Sequence, residues 1–145
     1  MFIQLNQQVW DVAMLLATVF ALWKGGTAER IVGVANVVAS VASRFGEDLG
    51  HWLQPQWAIL GVDVAFLVLL VWLALASRRT WLLFAAAFQL LGVVVHAAMM
   101  VDHKVSPWAY ITGGVIFSYL VLVALAVGTW AHWRRSRLET VATPH

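Results

Sequence analysis

Apolar residues gather into four long runs, Val9–Trp23, Trp57–Ala76, Trp81–Val101 and Pro107–Ala131. A fifth, more broken run, Ile31–Ser43, lies between Arg30 and Arg44. The pattern predicts an all-α transmembrane bundle of five helices over about 8–24, 28–44, 57–76, 80–101 and 107–131, filling 1–133 as one domain, with a polar, frayed cytoplasmic tail over 134–145. The last three runs have the ~20-residue length that a helix needs to cross ~30 Å of hydrocarbon. The first two are shorter, so they require a thinned bilayer, snorkelling flanks or burial among neighbours.

Polar punctuation separates the runs. In Lys24-Gly25-Gly26-Thr27 the glycines suit a helix end, Thr27 suits the N-cap of the next helix, and Glu29 falls in its first turn. Ser77-Arg78-Arg79-Thr80 reads as a minimal turn, and Pro107 opens the last helix after Asp102–Ser106. Arg44–Gln56, with Trp52 and Pro55, reads as an interfacial loop or a short surface helix.

Composition turns this helical pattern into a membrane one. The chain is 62% hydrophobic and only 11% charged, against roughly 25% charged residues in a soluble domain. Its nine tryptophans suit the boundary between hydrocarbon and headgroups. With no cysteine, disulfide, thiolate-metal and thiol redox chemistry are excluded. Met1–Val9 has no basic residue, so a cleaved signal peptide is not expected.

Charge then chooses between five crossings and four. With five, Lys24, Arg30, Arg78, Arg79, Arg134, Arg135 and Arg137 share one side and only Arg44 and Lys104 take the other; with four, the split is five against four. Basic residues prefer the cytoplasmic side, which favours five helices with the N-terminus out and the C-terminus in.

Polar residues inside a bilayer are costly, so they mark where function is to be sought. Glu29, Gly33, Asn36, Ser40, Ser43 and Glu47 follow 3–4 spacing and make one stripe on the second helix, leaving Val34, Val38 and Val41 on the opposite face. Ala85, Gln89, Gly92, His96 and Met99 make a similar stripe on the fourth, and Tyr110, Gly114 and Ser118 a seam on the fifth. Such stripes serve either as packing seams of small residues or as the wall of a hydrated pathway. Asn36 and Gln89 fall near mid-depth, where an amide hydrogen bond could join them. Asp11, Asp63 and His96 fall together in the outer half, and the candidate intramembrane site is therefore Asp63, His96, Asp11, Asn36, Gln89 and Tyr110. Asp63 and His96 either pair to fix helix register, relay protons or contact a quinone headgroup.

Just outside lie Glu47, Asp48, His51, Asp102 and His103. Carboxylates and imidazoles suit a metal ion, and the three- and four-residue separations from His51 allow chelation from one helix face. No cofactor is expected beyond such a metal ion or a quinone. No Gly-x-Ser-x-Gly elbow, His-Glu-x-x-His motif or phosphate loop is present, so no enzymatic activity is expected.

In length, helix number and tryptophan content the chain resembles the tryptophan-rich sensory protein (translocator protein) family, and it is broadly similar to small bacterial inner-membrane proteins. The first family's Trp-x-Pro-Pro element is absent, and Pro55, Pro107 and Pro144 do not reproduce it, so no functional residue is carried over. The expectation is a multi-pass protein of the bacterial inner (plasma) membrane, partnered by lipid and by other membrane chains, self or complex, and not by nucleic acid. The first functional expectation is a non-enzymatic accessory or assembly subunit, or a homo-oligomer, acting through helix contacts. The second is a small transporter, channel or sensor with an outward-facing Asp/His site for protons, metal or a small ligand. The third is a redox-linked subunit contacting quinone.

Overall fold

Five helices follow one another in the computed structural model: α1 (Phe2–Lys24), α2 (Thr27–Asp48), α3 (Pro55–Ser77), α4 (Thr80–Val101) and α5 (Pro107–Ala142). The structure describes residues 2–48, 55–101 and 107–142, with side chains over 8–45, 57–98, 100–101 and 112–141. Among the described residues three helical segments, Trp57–Ser77, Thr80–Ala98 and Thr112–Val141, are long and apolar enough to cross a membrane, which fits a membrane protein. The helices α1 and α2 match α3 and α4 in length, at 23 and 22 residues. The less apolar α2 carries Glu29, Arg30, Arg44, Glu47 and Asp48.

Three helix limits differ from expectation. α1 begins at Phe2 rather than near residue 8, and α2 runs on to Asp48 through part of the segment read as a loop. α5 continues to Ala142 in place of a frayed tail. Arg134–Glu139 holds good helix formers and no glycine or proline, and the hydroxyls of Ser136 and Thr140 fold back onto Trp133 O and Ser136 O. At 36 residues α5 is about 54 Å long at ~1.5 Å per residue, well beyond the ~30 Å hydrocarbon layer.

The short turns set the packing. Gly25 N–H donates to Ala21 O at 2.9 Å to close α1, and Arg30 N–H donates to Gly26 O at 3.1 Å to open α2. Gly26, not Thr27, is therefore the N-cap. A Cβ on Gly25 would lie 2.4 Å from Ala21 O and 2.6 Å from Glu29 Cβ, so only glycine permits this reversal. Between α3 and α4 the reversal is made by Arg78, at φ 50°, a left-handed conformation unusual for a residue with a Cβ.

Consecutive helices run antiparallel and close into a ring, α1 packing on α2 and so on to α5, which returns to α1; α2 also touches α5 across the middle. Ala21, Val32, Leu70, Leu82, Ala85 and Leu125 form its core, each at most 1% exposed. The exterior is apolar too, with Leu16, Val68, Trp72 and Leu75 all more than 60% exposed. An apolar outside around an apolar inside is stable when lipid is the solvent, because no water then penalises the outer face. Val34, Val38 and Val41 of α2 face outward while Gly33 and Asn36 face the bundle, as the stripe on this helix predicts.

The two tight turns lie at one end of the bundle, called here the turn end. Cations and tryptophans form a girdle there: Lys24 Nζ lies 4.5 Å from the Trp23 ring centroid, Arg137 Cζ 4.6 Å from Trp133, and Arg134 Cζ 5.6 Å from Trp130. Such contacts suit a membrane boundary, where ring and cation are both partly wet.

Candidate functional site in the cleft between the helices

At the opposite end the helices part around a cleft of about 380 Å³, within the ~300–1,000 Å³ range of small-molecule sites. The stripe of α2 supplies Asn36, Ser40 and Ser43 to its wall; α3 supplies Asp63 and α4 supplies Gln89, Gly92 and His96. From α5 come Gly114, Phe117, Ser118 and Tyr119, and Trp10 of α1 also lines it. The wall combines aromatic faces with convergent hydrogen-bonding groups.

Asp63 and His96 are neighbours, with His96 Nδ1 at 3.1 Å from Asp63 Oδ2. The same nitrogen is 3.1 Å from Gly92 O. Both neighbours accept, so the imidazole proton belongs on Nδ1. The other carboxylate oxygen, Asp63 Oδ1, accepts from Gln89 Nε2 at 3.2 Å, and Asp63 O accepts from the same group at 3.3 Å. The α3 carboxylate is thus held from two levels of α4.

This arrangement corrects one expectation. Gln89 does not bond Asn36; it is drawn to the charge-bearing partner, the stronger acceptor. Asn36 is 8% exposed and its Nδ2 has no hydrogen-bond partner, although a buried donor normally finds one. Asp11 is the second correction: it does not join Asp63 and His96 but forms an ion pair with Arg44, which ties α1 to α2. Beside that pair Trp10 meets Tyr119 edge to face, with ring centroids 5.1 Å apart.

The side chains of Glu47, Asp48 and Tyr110 lie outside the described residues, as do His51, Asp102 and His103. Among the described residues no three His, Asp or Glu side chains gather as a metal site would require.

The turn end holds a second polar centre, which the sequence reading did not select. Glu29 is fully buried, and its Oε1 accepts from Arg79 Nη1 at 2.5 Å and from Trp81 Nε1 at 3.1 Å. Arg79 Nη1 also lies 3.3 Å from His132 Nδ1, an imidazole nitrogen that here faces a cation and so acts as acceptor. Glu29 Oε2 has no partner. A Cβ built on Gly26 would be 3.1 Å from both Glu29 Oε2 and His132 Nε2, so these two atoms face one spot and are at most 6.2 Å apart. The glycine leaves that spot open. Two signals pointed to this centre: a carboxylate on the inward stripe of α2, and a doubled glycine where only close approach of another element requires one.

No protein-family model, curated protein or solved structure matches the chain.

Proposed function

We propose that the chain is a five-span membrane protein, N-terminus out and C-terminus in, that binds a small hydrogen-bonding ligand in the outward-facing cleft, as a sensor or transporter does. No enzymatic step is assigned to it. The observation that carries this reading is the cleft wall itself: a fixed Asp63–His96–Gln89 arrangement, the unpartnered Asn36 Nδ2 and the aromatic faces of Phe117 and Tyr119 around one 380 Å³ space. A packing device that only fixed helix register would leave neither such a space nor an idle buried amide.

The preferred ligand is compact and offers an acceptor to Asn36 and a flat or apolar body to the rings. Gly114 lines the cleft, and a side chain added there meets open space. Gly114→Leu is therefore expected to fill the site without disturbing the fold. Native mass spectrometry of the protein taken up in native-lipid discs should show a bound species in the wild type that is missing from Gly114→Leu at equal thermal stability. An identical adduct in both would refute the reading.

Contact with another helix is a second reading, favoured by one observation. Gly61 and Ala65, one turn apart on α3, are both exposed, and nothing lies within 4 Å of a Cβ placed on Gly61. Small residues so spaced let membrane helices approach closely. Gly61→Leu would then convert a dimer, or a complex with another chain, to monomer in mild detergent, as read by light scattering.

A further inference from the structure

We propose that the bundle conducts protons between the Asp63–His96 pair of the cleft and the Glu29–His132 pair of the turn end, through a dry layer that stands closed in this structure. The proposal rests on the reading of the cleft as an open, exchanging site and extends it to the opposite end of the molecule.

Four helices place the same sequence of environments along their length. On α2 the order from cleft to turn end is Asn36, Val32, Glu29; on α3, Asp63, Leu70 and then Arg79 in the turn; on α4, Gln89, Ala85, Trp81; and on α5, Ser118, Leu125, His132. Val32, Leu70, Ala85 and Leu125 are each at most 1% exposed. A polar level therefore lies on either side of one apolar layer. Asn36 and Glu29 are seven residues apart, about 10 Å along α2 at ~1.5 Å per residue. An apolar constriction of this kind gates by excluding water.

The two orphaned atoms make this more than a coincidence of packing. Among the described residues, the buried side-chain polar atoms without a hydrogen-bond partner are Asn36 Nδ2 and Glu29 Oε2. They flank the dry layer on the same face of α2. A short file of water entering past Val32 would satisfy both at once, donating to the carboxylate and accepting from the amide. In the dry state their unmet bonding stores the drive to admit it.

The groups facing Glu29 are Trp81 from α4, Arg79 from the α3–α4 turn and His132 from α5, with Arg30 close by on its own helix. Arg79 repels metal cations from this end, while a proton is tolerated because it neutralises the Glu29 carboxylate rather than adding a free cation. A proton taken up by the Asp63–His96 pair passes along the water file to Glu29 Oε2 and leaves to a water at the open spot beside Gly26, which the Nε2–H of His132 orients. Each group gains and loses one proton per passage, so no oxidant, reductant or leaving group is involved.

The test uses the full chain in liposomes loaded with a pH-sensitive dye, under a potassium diffusion potential. Wild-type vesicles should acidify faster than protein-free ones. Val32→Ser, which wets the layer, should speed this several-fold, and Glu29→Gln or His132→Gln in that background should return it to the protein-free rate. Val32→Ser vesicles no faster than wild type, or equally leaky to a trapped neutral sugar, would overturn the path. The Gly114→Leu adduct measurement separates the two claims. Proton flux without a bound species supports the path and removes the ligand, whereas a bound species without Val32→Ser flux removes the path alone.

Discussion

Glu29 shows how much a single residue decides here. Its carboxylate is fully buried, yet it joins α2 to Arg79 and Trp81, which lie 50 and 52 residues away. Removing the carboxylate strands Arg79, whose side chain is 29% exposed and partly hydrated, so the cost falls below the ~3–5 kcal/mol of a wholly buried pair. Glu29→Ala is accordingly expected to lower the thermal midpoint of the detergent-solubilised protein. Glu29→Gln keeps an acceptor for Arg79 and Trp81 and should lose much less. If alanine and glutamine behave alike, the carboxylate does not organise this end. Gly128 lies in the same region, where a Cβ would fall 2.4 Å from the ring of Trp81. That ring is buried and fixed by its bond to Glu29, so Gly128→Ala should cost about 1–3 kcal/mol through overpacking, read in the same melting experiment.

Among the elements, α2 is the one on which both polar centres depend. Its stripe was legible because 3–4 spacing puts Glu29, Gly33, Asn36 and Ser40 on one face whatever packs against it. The spacing left open which neighbours the stripe meets, and an Asn36–Gln89 bond gave way to Gln89–Asp63. The α3–α4 turn is a second element with a testable local property. Arg78, at φ 50°, pays about 1–2 kcal/mol of left-handed strain, which glycine would not. Arg78→Gly should melt at or above the wild-type temperature, since the gain is partly offset by glycine's greater unfolded freedom. Arg78→Ile should melt lower, because a β-branched side chain tolerates this conformation least. Equal melting of all three would show that the turn relaxes freely.

At the scale of the whole molecule, the closed ring of five helices puts the cleft at one end and the basic, tryptophan-rich girdle at the other. The proposed orientation places the girdle inside, where seven of the nine Lys and Arg residues would lie. The absence of native cysteine makes this simple to check. A cysteine at Gln8 should react with an impermeant maleimide added outside intact cells, and one at Ser136 only after lysis. Labelling of both from the same side would mean an even number of crossings and would return the four-span alternative.

The sequence by itself determined the helices, their apolar character and the pairing level of Asp63 with His96, because hydrophobic length and residue spacing are local properties that lipid and backbone geometry read directly. Depth along a helix can be counted from its ends, which puts Asp63 and His96 at matching depth, and the fold brings them to 3.1 Å. Only the tertiary structure decided rotation about each helix axis and order around the ring. Those choices turned Asp11 toward Arg44, left Asn36 unpartnered and brought Arg79, Trp81 and His132 onto Glu29. They depend on how five surfaces interlock at once, with close approaches such as Gly128 against Trp81. No spacing within a single helix encodes that.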